Sequence, residues 1–286
     1  MVLICLLAVT ATGVTAVFAT ILQSRLATAE QRQKRLDEQV RNEMLAMGWL
    51  PPTSDSLREL SEKLRQGRGV EILHVASPFE LMLANGLVAA QPADEGVLAA
   101  ATVLVVDELT LLPRSFLERA GLRRVVLCAD LREERRPIPS LPNYRNTLLL
   151  DAGGSTGYMR RLVHHEVFHF ADLADDGIVR GDPAYAALNP PGFEYGSGGR
   201  SMRQRSSAAF GEAPAGFVSR YATSAVEEDK AEVFAFLMTR PEAMAELGRR
   251  DPVVAAKAAY IRALVGGLSD ELDGAFWRSV TRAPGR

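Results

Sequence analysis

Along this 286-residue chain the apolar positions fall into three regimes: an unbroken run at the start, short strand and helix patterns through the middle, and helical spacing towards the end. The opening run, MVLICLLAVTATGVTAVFATILQ, carries no charged side chain before Arg25. A helix crosses a bilayer core with about 20 apolar residues, so residues 1–23 are expected to be a signal peptide or a membrane anchor. Val17-Phe18-Ala19 and Ala27-Thr28-Ala29 resemble small-residue cleavage sites. Arg25, Lys34 and Arg35 follow the apolar run and none precedes it, which leaves orientation open. The expectation is an exported chain, membrane-anchored or secreted, with a cytoplasm-facing anchor as the alternative. Residues 24–52 are charged and helix-forming up to Pro51-Pro52, as a helical stalk or linker would be.

From residue 53 to 286 the pattern predicts a single domain. SDSLRELSEKLRQG is amphipathic at helical spacing, with a Ser or Asp cap and a glycine stop. VEILHV reads as a strand, which makes His74 a packed or edge residue, not a ligand. ADEGVLAAATVLVVDELTLL suits a buried helix closed by Pro113, and RSFLERAG a short one. RRVVLCADL (123–131) and NTLLLDAG (146–153) read as strands around the proline-rich turn RPIPSLPN. Four helices are expected after residue 224, punctuated by Pro241 and Pro252. Residues 176–220 lack periodicity and are rich in Gly, Pro and Ser, as a lid or specificity loop would be. Together the elements predict an α+β fold with a small twisted sheet and a mostly helical C-terminal half.

Composition narrows the function classes. A 47% hydrophobic content and a net charge of -2 exclude a disordered chain and point to no nucleic-acid partner. Cys5 and Cys128 are the two cysteines, and Cys5 lies in the apolar run, so the folded part holds no disulfide. Cys128 is expected as a buried strand residue. No feature of the composition indicates an oligomeric state.

The chemistry concentrates in LVHHEVFHF, residues 162–170, which holds three of the four histidines. His165-Glu166-Val167-Phe168-His169 is an HExxH motif. On a helix His165 and His169 project from one face one turn apart, so both imidazoles can reach one zinc ion, with Glu166 beside its water as general base. His164 points elsewhere and is expected to pack. A catalytic zinc takes three protein ligands. Asp175 lies six residues past His169, but Asp172 stands where such a pattern has a turn-making glycine. Glu194 sits in a loop with no helix to fix it. Glu228 is the better third ligand: Glu228 and Glu232 lie four apart on one helical face, the first for the metal and the second to accept the other ring N–H of a ligand histidine. Glu227 is the neighbouring alternative to Glu228, and a solvated acidic helix start is the non-functional reading of the whole cluster. Tyr221, seven residues before Glu228, is a candidate donor to a substrate oxyanion, with a buried packing aromatic as the alternative.

HExxH followed by a helix with E-x-x-A-E, and a tyrosine seven before its first glutamate, resembles gluzincin peptidases of the anthrax lethal factor type. NPPGFEYGSGG is similar to a segment of little-studied bacterial zinc metallopeptidases. The resemblance covers roughly 146–240 and implies a zincin-like fold, with zinc on His165, His169 and Glu228, Glu166 as base, Tyr221 at the oxyanion and Glu232 as the second glutamate. It implies hydrolysis of peptide or protein substrates. It also implies that NTLLLD is an edge strand that pairs with extended substrate, with an interior strand as the alternative. A non-catalytic zinc adaptor held at the membrane is the rival from another class, and a hydrolase of other amide bonds a third.

Overall fold

The structure is a computed structural model that describes residues 25, 27–28, 31–84, 86–177, 181–199 and 213–282. The expected signal or anchor, residues 1–23, lies outside the described residues, as do 178–180 and 200–212 of the expected lid. Contacts divide the chain into two units, Met1–Gly48 and Trp49–Arg286. Within the first, residues 31–46 form a helix, α1.

The second unit is built on an eight-stranded mixed sheet whose spine is β5 (Arg124–Glu133). The first half of β5 pairs in parallel with β2 (Glu71–Val75) on one side and β8 (Thr147–Asp151) on the other. Val125, Val126, Leu127 and Leu148, Leu149, Leu150 are all fully buried, as continuous apolar runs in a parallel core require. Antiparallel strands close this part: β1 (Trp49–Leu50) beside β2, and β7 (Ser140–Leu141) beside β8. Trp49 thus begins the sheet inside the segment expected as stalk.

The second half of β5 changes partners. It pairs antiparallel with β4 (Gly86–Gln91) and β6 (Arg136–Pro137), and β4 pairs with β3 (Phe79–Leu83). The switch falls at Asp130, which has φ 50°, opposite a register shift between Ala89 and Gln91. An extra residue at such a bulge bends the strand and lets β5 serve both halves of the sheet.

The helices are α2 (Asp55–Arg68), α3 (Glu95–Thr110), α4 (Arg114–Ala120), α5 (Thr156–Asp176), α6 (Pro183–Ala186), α7 (Val226–Thr239), α8 (Pro241–Arg250), α9 (Pro252–Leu268) and α10 (Gly274–Arg282); they follow the predicted pattern except α6, which falls in the segment read as aperiodic. The fold is therefore α+β, with the HExxH helix, α5, packed between α3, α4 and α7. Phe168 of α5 and Phe116 of α4 stack on Phe234 of α7, at centroid distances of 5.4 and 6.1 Å. Burying each such ring stabilises by about 1.5–3 kcal/mol on the transfer scale, enough to fix α7 against α5. Among the described residues no single helix is long and apolar enough to cross a membrane. Only α3 and α4 together meet the length and composition, and they are bent by 104°.

Candidate metal centre

α5 starts after Ser155, which takes the extended N-cap backbone without a side-chain cap bond, and ends at Gly177 in the left-handed region (φ 75°). Its 21 residues carry His165 and His169 on one face, with their Nε2 atoms 3.2 Å apart. α7 brings Glu228 to the same point: its Oε2 lies 3.0 Å from His165 Nε2 and 3.6 Å from His169 Nε2. One donor atom from each of the three residues lies within 4.8 Å of the others. Zinc–ligand bonds of about 2.0–2.1 Å at tetrahedral angles put neighbouring ligand atoms about 3.3 Å apart, so the donor set and its spacing fit zinc. Asp175 and Glu194 are exposed and Glu227 is half-exposed. None of them belongs to this group.

Glu232, one turn after Glu228, is fully buried beneath the cluster. Its Oε1 meets His165 Nδ1 at 2.9 Å, and its Oε2 accepts from Ser219 Oγ at 2.6 Å and faces Arg161 Nη1 at 3.3 Å. Burial alone would raise the Glu232 carboxyl, but His165, Arg161 and Ser219 hold it below its usual range. Glu228 is likewise held well below that range: burial opposes ionisation, and His165 and His169 outweigh it. For His165 burial works against the charged form, yet its bonds to Glu228 and Glu232 raise the imidazole to about 10. A cation at Nε2 therefore competes with a proton. The first turn of α7 is not a solvated acidic face. Asp229 points the other way, into a buried pair with Lys257 (2.7 Å), and also accepts from Tyr195 at 2.8 Å.

Glu166 is buried, and its Oε1 accepts from Ser140 Oγ at 2.6 Å. Its Oε2 is buried without a hydrogen-bond partner. Pro139, Tyr158, Arg161, Leu162, His165, Glu166 and Tyr221 line a cavity of ≈ 40 Å³. A water needs about 10–15 Å³ of such space, so the cavity can hold one beside the carboxylate. Tyr221 opens a short 3-10 turn, Tyr221–Ser224, and its ring centre lies 5.9 Å from that of His165. A Cβ on Gly199 would overlap both Tyr221 Oη and Glu228 Oε1, so the backbone there closes over the site only because it lacks a side chain.

The other two histidines lie apart. His164 is fully buried on the opposite face of α5, with Nε2 2.9 Å from Glu108 Oε2, while Arg160 reaches Glu108 Oε1 at 3.2 Å. His74 is buried on β2, 2.8 Å from Thr102 Oγ1. Sequence reasoning missed Ser140, Arg161, Gly199 and Ser219. Arg161 was detectable, because it precedes His165 by one helical turn on the same face. The expected edge strand needs correction: β8 pairs on both sides, and the sheet edge nearest α5 is β7. The continuous apolar run of β8 is the reason, since an interior strand buries both faces.

No protein-family model and no curated protein matches this chain. Among solved structures, it resembles one described as "a putative zinc-binding metallo-peptidase from Bacteroides caccae". The two share 19% sequence identity with a TM-score of 0.50, over 80% of this chain and 92% of that one. At that identity the likeness is one of fold, and it is a metallopeptidase-like fold.

Proposed function

We propose that this chain is a zinc-dependent peptidase of the gluzincin kind, in which His165, His169 and Glu228 hold the metal and Glu166 is the general base. The observation that carries the reading is the convergence of two imidazoles and a carboxylate beside a second, buried carboxylate with an unpartnered oxygen. The Bacteroides caccae fold, with zinc and peptidase in its description, supports the same class. When bound, zinc polarises a carbonyl and lowers the pKa of a bound water towards neutrality.

The side chains then divide the work. Glu166 Oε2 takes a proton from the attacking water and delivers it to the leaving amine. The Tyr221 hydroxyl donates to the oxyanion that develops on the substrate carbonyl. Glu232 fixes the tautomer of His165 by accepting from Nδ1, which leaves Nε2 for the metal. Arg161 offsets part of the negative charge that Glu166, Glu228 and Glu232 bring to one place. The substrates are peptides or proteins. The apolar run before Arg25 supports an exported, membrane-anchored or secreted enzyme.

The test is a peptide-library digest, read by mass spectrometry, with zinc-loaded wild type and Glu166→Gln. Cleavage by the wild type that disappears in a variant retaining zinc supports the reading. Full zinc with no cleavage by either protein refutes it and makes the chain a zinc-holding adaptor.

A further inference from the structure

We infer that Ser140 is a positioning residue that decides which oxygen of Glu166 takes the proton, an inference that rests on Glu166 being the base. A carboxylate has two equivalent oxygens and a broad, two-fold terminal torsion, so burial alone does not choose between them. The Ser140 hydroxyl breaks the equivalence. It donates to Oε1 at 2.6 Å, a short charge-assisted bond, and leaves Oε2 buried and unpartnered. An orphaned buried carboxylate oxygen is costly to maintain unless something occupies its place in the working state. Glu166 borders the cavity shared with His165 and Tyr221, where an attacking water would sit.

The element that supplies Ser140 makes the hold rigid. β7 has only two residues, and both are in register with β8: Ser140 with Leu150 and Leu141 with Leu149. Just before it, the Pro139 carbonyl accepts from Asp151 N at 2.9 Å. Side chains alternate along a strand, so with this register Ser140 turns towards α5 and is 4% exposed. A residue that merely filled this space would need no hydroxyl.

The experiment compares zinc-loaded wild type, Ser140→Ala and Ser140→Thr by steady-state peptide hydrolysis, zinc content, thermal unfolding and crystal structures. Ser140→Ala is expected to lower kcat roughly 10–100-fold, the range for partners that orient a working group, with KM, zinc content and unfolding temperature close to wild type. Its Glu166 carboxylate is expected to rotate or to split between two conformers. Ser140→Thr, which keeps the hydroxyl, is expected to recover most of the rate. Wild-type kcat in Ser140→Ala, or an unmoved carboxylate, overturns the inference. So does a Ser140→Thr enzyme whose hydroxyl still reaches Glu166 but whose rate is as low as that of Ser140→Ala. If the wild type binds zinc and cleaves nothing, the peptidase reading fails, and the carboxylate conformers still decide whether Ser140 positions Glu166.

Discussion

His164 and His165 are sequence neighbours, both are buried, and each meets a glutamate from another helix, yet they belong to different kinds of site. On the core face of α5, His164 meets the Glu108 carboxylate, which also faces Arg160, and its ring stands edge-on to Phe234 at 6.2 Å. Acid and base are matched there within the fold, as in a structural network. On the other face, the Nδ1 of His165 is spent on Glu232, and its Nε2 points at a place where His169 and Glu228 also point. Three carboxylates lie around His165: Glu228 and Glu232 bond its two ring nitrogens, Glu166 borders the same cavity, and among the described residues the Arg161 guanidinium faces Glu232. The lesson is that a histidine beside a glutamate says little by itself. A site is marked by several donors that converge on one point.

That contrast can be broken at several strengths. Glu166→Gln should lower kcat by roughly 10²–10⁴ while zinc content and melting temperature stay at the wild-type level, whereas Glu108→Gln should leave turnover intact. Turnover lost through Glu108 and kept without Glu166 would invert the two faces. A smaller effect is expected below the metal: Glu232→Gln should weaken zinc affinity roughly 10–100-fold in a chelator competition, because His165 loses the partner that fixes its tautomer. An unchanged affinity would mean that Glu232 is only a packing residue.

On the core face the currency is stability. His164→Leu should lower the unfolding free energy by about 1–3 kcal/mol in urea titrations, the cost of leaving buried Glu108 with less compensation, with zinc content unchanged. The smallest effect concerns His74, far from either face in the chain. Burial pushes its imidazole down from 6.5 to about 4. The unfolded chain therefore binds the extra proton between those values, so stability rises with pH through this window and is lost as pH falls from 6.5 towards 4. Discounted for partial exposure, the loss is roughly 1–2 kcal/mol. His74→Gln should flatten that part of a plot of urea midpoint against pH, and an unchanged slope would assign the acid sensitivity elsewhere.

The parts of the fold and the site that were legible in the sequence are those governed by local spacing. His165 and His169 lie four apart on one helix, and Glu228 and Glu232 four apart on a second, so periodicity alone puts each pair on one face, with Glu166 beside the first pair. The tertiary contact that joins the sets, supplied by packing around Phe234, has no local signal. Ser140 was invisible for the same reason: it lies 26 residues before Glu166, in a two-residue strand within a turn-rich stretch. The acidic start of α7 was ambiguous because composition does not separate buried Asp229, paired with Lys257, from a solvated turn. The hairpin of β3 and β4 went unpredicted although Asn85-Gly86 sits between two apolar runs, the pattern that marks a tight turn. Edge and interior both stayed open for β8, because a single apolar strand does not reveal how many neighbours it has.

The central claim is that one zinc ion sits on His165, His169 and Glu228. Zinc stoichiometry by mass spectrometry, after buffered exchange of the purified wild type, Glu228→Ala and Asp175→Ala, tests it most directly. The expected result is one zinc per chain in the wild type and in Asp175→Ala, and little or none in Glu228→Ala. Full zinc in Glu228→Ala, or its loss in Asp175→Ala, would contradict the account.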